Sequence, residues 1–189
     1  MKRKLLLLSF IVALVGAMSV TQSCNKVKDL ASFDLTKNMP DRHFDLDSAT
    51  TTAVKGETLL FESRFTVNMD SIMDANGVDE GVIENGHFTE IELLIDNPSA
   101  LEEFGFLSSA SFKLSMTPDF KSSEIVAEAE NIKKGDTSII LKVNSTSLDR
   151  YLQNSTFYFR LYGNVTGPVP VNLLPLILRS QIGFTVNPI

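Results

Sequence analysis

Ala110-Ser111-Phe112-Lys113-Leu114-Ser115-Met116 is the stretch that decides the fold. Its apolar residues Ala110, Phe112, Leu114 and Met116 alternate with Ser111, Lys113 and Ser115. Alternate side chains of a strand point to opposite faces, so this segment has one face for a core and one for water. A helix would need its apolar positions three and four apart. The same period recurs on both sides. Toward the C-terminus come Ile125, Ala127 and Ala129, then Ile139, Leu141 and Val143, then Phe157, Phe159 and Leu161. Leu176, Leu178, Ile182, Phe184 and Val186 form the last set, with Ser180 as a polar break. Toward the N-terminus, Ile91, Leu93 and Ile95 alternate with Glu90 and Glu92. Leu59–Met69 sets Phe61, Phe65, Val67 and Met69 against Glu62, Arg64, Thr66 and Asn68. One more strand is possible near Phe44–Val54. The pattern predicts an all-β domain: an antiparallel, immunoglobulin-like β-sandwich of about 7–8 strands.

Short helical turns interrupt the strands. Asp70 can cap Ser71–Ala75, with Gly77 following. Ser99 and Glu102 have the spacing of a capping box for Ala100–Phe104, and Ser147 can cap Leu148–Gln153. Helices this short need tertiary support. Ile72, Met73, Leu101, Phe104, Leu148 and Leu152 are therefore expected to pack over the end of the sandwich.

The first 23 residues differ from all this. Lys2, Arg3 and Lys4 precede the apolar run Leu5–Val20, and small residues lead to Cys24. A basic start, an apolar middle and a small-residue cut site define a secretory signal. The run is shorter than a bilayer span needs, and polar sequence follows at once. Cleavage before Cys24 would remove three positive charges and take the net charge from −6 to −9. An acidic domain is a poor fit to nucleic acid, because phosphate binding needs a basic footprint. Cys24 is the only cysteine, so no intrachain disulfide can form. The organisation expected is a signal peptide over 1–23, a tether over 24–41 and a β-sandwich over 42–189.

Val20-Thr21-Gln22-Ser23-Cys24 resembles the lipobox of bacterial lipoproteins, with Ser23 in the small-residue place. Thr21 and Gln22 stand where that family usually has Leu and a small residue. The resemblance implies a diacylglycerol on Cys24, with no other cofactor, and attachment to a membrane. Asn25 after the Cys implies export to the outer membrane. Ile91-Glu92-Leu93-Leu94-Ile95-Asp96-Asn97-Pro98 resembles the strand-then-Asn-Pro signature of the water-stress immunoglobulin-like domains, which implies a sandwich and no particular activity.

No catalytic set and no metal site is expected. The chain has two histidines. His43, Asp45 and Asp47 would share a face of an extended segment, as ligands of a hydrolytic metal could, but a polar edge strand is the simpler reading. His87 reads as a solvent-facing turn residue. Asp74–Glu80 has the acids and glycine of a calcium loop without its spacing. Tyr158, Arg160 and Tyr162 should share the polar face of one strand, with Tyr151 close in sequence; this is a candidate surface for a glycan or an envelope protein. Leu173, Leu174, Leu176 and Ile177 crowd both faces around Pro175. They read as a buried strand, or as an apolar edge for a partner. Ser48 and Ser71 sit in Asp-Ser-apolar triplets that resemble bacterial O-glycosylation sites. The function expected is a non-catalytic binding or scaffolding module on the outer membrane. The alternatives are a subunit of a surface fibre that polymerises by strand addition, or a metal-dependent hydrolase.

Overall fold

The computed structural model describes residues 31–49, 56–99 and 101–189. The signal segment and Cys24 lie outside the described residues. The elements run β1 (Phe33–Asn38), β2 (Arg42–Asp47), β3 (Gly56–Thr66), α1 (Met69–Ala75), β4 (Gly81–Ile95), β5 (Leu107–Ser115), β6 (Ser123–Glu130), β7 (Ser138–Val143), α2 (Asp149–Gln153), β8 (Thr156–Val165) and β9 (Leu173–Pro188). One sheet has the order β2-β9-β4-β7, with β1 continuing β2 along the same side of β9. The other has the order β3-β8-β5-β6. The two join at one corner, where β6 and β7 share the pairs Ala127–Val143 and Glu128–Lys142.

The inner faces meet through aromatic side chains. Phe88 of β4 meets Phe112 of β5 edge-on at 5.8 Å, and Phe44 of β2 stacks on Phe61 of β3 at 4.2 Å. Phe65, Phe112, Phe157 and Phe159 are fully buried between the sheets. Each such ring removes a large apolar surface from water, about 1.5–3 kcal/mol apiece.

All strand pairs are antiparallel, and they nest: β2 with β9, β3 with β8, β4 with β7, β5 with β6. The chain doubles back as one long hairpin centred just after Ser115. That hairpin then rolls, so that β4 also meets β9 and β5 also meets β8. The expected antiparallel sandwich is present, and its strand order is that of a jelly roll. Residue periodicity identifies strands but says nothing about which strands become neighbours.

Three irregularities shift which residues face inward. At Leu60 the register of β3 on β8 slips, turning Leu59 outward and Leu60 into the core. There Leu60 lies against Gly163, where an added Cβ would stand 2.7 Å from side-chain carbons of both Leu60 and Leu107. At Val126 the register of β6 on β5 slips, so Val126 and Ala127 are buried while Ile125 is exposed. This corrects the expected Ile125–Ala127–Ala129 face, because a bulge adds one residue and reverses the alternation. The third lies at Met39-Pro40-Asp41, which spans only Arg179 and Ser180 of β9. The inward set changes there from Phe33 and Leu35 to Phe44 and Leu46.

That third bulge explains the main correction to the domain plan. The stretch 24–41, expected to be a tether, contains β1, which pairs along β9 from Phe33–Val186 to Asn38–Gln181. Phe33 and Leu35 pack on the core, and Met39 is buried.

The helical turns differ in detail. Asn68, not Asp70, caps α1, its Oδ1 accepting from Ser71 N–H at 2.9 Å. Val67 and Met69 are buried but lie beyond the end of β3. Ser99 N–H donates to Glu102 Oε2 at 2.6 Å as in a capping box, yet residues 101–106 form turns rather than a helix. Leu101 is 74% exposed there, and Phe104 fills the core instead. Leu148, Tyr151 and Leu152 of the α2 region are fully buried.

Candidate functional site

The outer face of the β3-β8-β5-β6 sheet carries the candidate residues. Register places them in cross-strand rows: Arg64–Tyr158–Ser115–Ser123, Glu62–Arg160–Lys113–Ile125, Leu59–Tyr162–Ser111–Glu128 and Glu57–Asn164–Ser109–Glu130. Tyr158, Arg160 and Tyr162 share this face, as their alternation on β8 requires. Tyr151 does not: it is buried against Phe157 at 5.5 Å. Burial pushes its phenol up, opposed by the hydrogen bond from Arg150 Nη2 at 2.9 Å.

The two halves of the face differ. Next to Tyr158 the β5–β6 loop folds back over the sheet. Ser115 faces outward by register yet has no exposed surface, and its Oγ donates to Ser122 O at 3.3 Å. Phe120 lies in that loop with φ 53, a conformation bulky residues avoid. Its ring sits 4.1 Å from the Arg160 guanidinium. Arg160 Nε also donates to Glu62 at 2.9 Å. Desolvation pulls the Arg160 guanidinium down, but bonds with Glu62 and Tyr162 outweigh it and hold the group above its ordinary value. The Thr117 hydroxyl and the Lys121 N–H hold the Asp119 carboxyl below its usual 3.8.

Beyond Arg160 the face opens into a trough of about 260 Å3. The small residues Ser109 and Ser111 of β5 form its floor. Tyr162 and Asn164 of β8 stand on one side, Glu128 and Glu130 of β6 on the other. Lys113 Nζ sits 4.4 Å from the centre of the Tyr162 ring and 2.9 Å from Glu57 Oε1. This ion pair crosses from β5 to β3 over β8 and covers the tyrosine. Of the surface expected from sequence, the Tyr162 ring is thus covered by the Lys113 ammonium, while the Arg160 guanidinium lies on Phe120. Lys113, Glu57 and Phe120 carry no signal in the sequence, because they reach Tyr162, Lys113 and Arg160 respectively across strands or from a loop.

On the outer face of the other sheet, several side chains are tied across strands. Thr185 Oγ1 donates to Asp34 at 2.7 Å and accepts from Asn85 at 3.3 Å. Gln181 donates to Asn38 at 2.8 Å and accepts from Thr89 at 2.7 Å. Arg179 pairs with Asp41 at 3.2 Å, and Asn187 donates to Glu84 at 2.9 Å.

Leu173, Leu174, Leu176 and Ile177 do not form an edge. All four lie on β9 beside β2; Leu176 and Ile177 are also flanked by β4, whereas Leu173 and Leu174 lie past its end. Leu174 and Leu176 are in the core, Ile177 is buried, and Leu173 alone of the four is exposed. Pro175 sits level with Asp96, just past the end of β4, so its missing N–H breaks no ladder there. From Leu176 to Leu178 β9 is flanked on both sides, so this part of the strand is not available for donation to another subunit. His43, Asp45 and Asp47 line the outward side of β2, and His43 Nδ1 is 3.9 Å from Asp96. Among the described residues no group of three or more His, Cys, Asp or Glu could hold a metal. His87 is exposed within β4 rather than at its start, its Nδ1 2.7 Å from Asn85 O.

No family model matches the chain, and no curated protein matches it. Several solved structures align loosely. A chain of infectious bursal disease virus, Gt strain, aligns over 82% of this chain and 33% of its own, at 11% identity and a TM-score of 0.40. This chain thus spans about one third of that one. The decameric BFDV capsid protein aligns over 83% and 100%, at 9% identity and a TM-score of 0.44. A carbohydrate-binding module of the beta-sandwich super family aligns over 77% and 54%, at 7% identity and a TM-score of 0.32. The fold assignment rests on this chain's own strand order.

Proposed function

We propose that this chain is a lipoprotein of a bacterial cell envelope, held in the outer membrane by a diacylglycerol on Cys24. Its jelly roll acts as a non-catalytic binding or scaffolding module whose partner is a glycan or an envelope protein. The observation that carries the reading is the sequence from Lys2 to Cys24: a basic start, an apolar run and a lone cysteine after Ser23. Among the described residues no helix is long and apolar enough to cross a membrane, so the lipid is the hold the reading relies on. Two acyl chains suffice for stable anchoring. Eight residues separate Cys24 from Phe33. Fully extended they reach about 30 Å, which keeps the start of β1 near the bilayer surface.

Replacing Cys24 with Ala tests the anchor. The variant should lose incorporation of radiolabelled palmitate and leave the membrane fraction. A Cys24→Ala protein that sediments with membranes like the wild type would overturn the reading.

A further inference from the structure

We propose that the trough over Ser109 and Ser111 binds a short segment of a neutral glycan. The inference rests on the binding-module reading above and names the ligand class and the place. The trough gathers hydrogen-bonding groups that have no protein partner among the described residues: the side chains of Ser109, Ser111, Asn164, Glu128 and Glu130. The other sheet differs. There, many outward polar groups are tied across strands by hydrogen bonds, and a second hollow of about 280 Å3 is bordered by the engaged pairs Arg179–Asp41 and Gln181–Asn38, with Glu90 as its one outward carboxylate lacking a partner among the described residues. Among the described residues, the trough is where converging polar groups from three strands stay unpaired around a concave floor.

The mixture of groups selects the ligand. Hydroxyls and an amide both donate and accept, and carboxylates accept. A row of sugar hydroxyls offers donors and acceptors to all five side chains. An anion would meet Glu57, Glu128 and Glu130. A cation would leave the Asn164 and serine donors unused and would face the Lys113 ammonium. The volume is a little below the roughly 300–1,000 Å3 of typical small-molecule sites, which suits a short stretch of a chain lying along β5. Lys113 has a second role here. Its ion pair with Glu57 is partly exposed, and such pairs hold weakly. A sugar ring that takes up the aromatic face displaces this pair and the Lys113 cation–π contact, and its own stacking on Tyr162 replaces the latter.

The test uses the intact protein, extracted in detergent, run in native gels containing dextran, mannan, laminarin or no polysaccharide. At least one of these should retard it. Ser111→Leu fills the floor and should weaken retardation about tenfold in apparent affinity, as should Glu128→Ala paired with Asn164→Ala. Thermal melting checks that both variants fold. Lys113→Ala uncovers Tyr162 and should strengthen retardation, a direction that mere loss of surface structure does not produce. Absence of retardation in wild type and Lys113→Ala alike would overturn the proposal. So would retardation that Ser111→Leu leaves unchanged in a folded protein, or mobility shifted by oligolysine and by none of the polysaccharides. Palmitate labelling of the same preparation is read separately, so failure of the glycan site and failure of the lipid anchor are distinguishable.

Discussion

Gly163 and Leu60 form a pair in which each explains the other. The bulge in β3 drives Leu60 inward, and only a residue without a side chain leaves it room on β8. A Cβ at 2.7 Å from two leucine side chains forces both to move. Overpacking of this kind costs about 1–3 kcal/mol, so Gly163→Ala should lower the urea midpoint accordingly. Pairing it with Leu60→Ala should recover part of the Gly163→Ala loss, because one of the two clashes goes with Leu60 while that with Leu107 stays. An additive double mutant would show that the two do not share the space. Neither partner announces itself in sequence: Gly163 reads as a gap in a strand, and Leu60 as one more apolar residue. The same holds for Lys113, whose place over Tyr162 depends on a register between β5 and β8 that no local pattern encodes. Tyr158, Arg160 and Tyr162 were legible as one face because alternation within a single strand is enough to place them.

At the level of elements, strands with unbroken alternation are readable and strands that begin or turn at a bulge are not. β5, β7 and β8 follow their periodicity closely. β1 escapes it because Met39-Pro40-Asp41 inserts one residue opposite β9 and reverses the face of everything before it. The mixed charge of Asp34, Lys37 and Asn38 then looks like solvated linker, although Asp34 and Asn38 are bonded to Thr185 and Gln181. β1 should be worth measurable stability. A chain beginning at residue 41 should unfold at a lower urea concentration than one beginning at residue 31, by about 2–4 kcal/mol, from the half-buried Phe33 and Leu35 and the lost ladder. It should also aggregate more readily, because the upper half of β9 becomes a bare edge. Equal midpoints would mean that β1 contributes nothing to the folded state.

For the whole molecule, the nested pairing sets the folding problem. β2 with β9 joins residues near 45 to residues near 175, while among the described strands only β5 with β6 and the short β6–β7 corner are local. Chains dominated by such distant contacts fold in milliseconds to seconds rather than microseconds. Stopped-flow refolding of the intact domain should fall in that slow range. Substitutions in the β5–β6 hairpin should alter the folding rate more than those in β1, which can dock only after β9 is in place. This order is invisible in the sequence: seven alternating runs are compatible with many strand arrangements, and the choice among them is made by packing.

One consequence of β1 remains. The strand runs from the proposed lipid toward the far end of the sandwich, and the trough on Ser109 and Ser111 lies at that far end. A tug on a bound partner would draw β1 lengthwise along β9, toward the bilayer, loading every rung of the β1–β9 ladder together. Strands pulled this way resist by sliding, which breaks many bonds at once, whereas strands pulled sideways open one bond at a time. The short lead to Cys24 thus ends in the geometry that makes an anchor hardest to tear out mechanically.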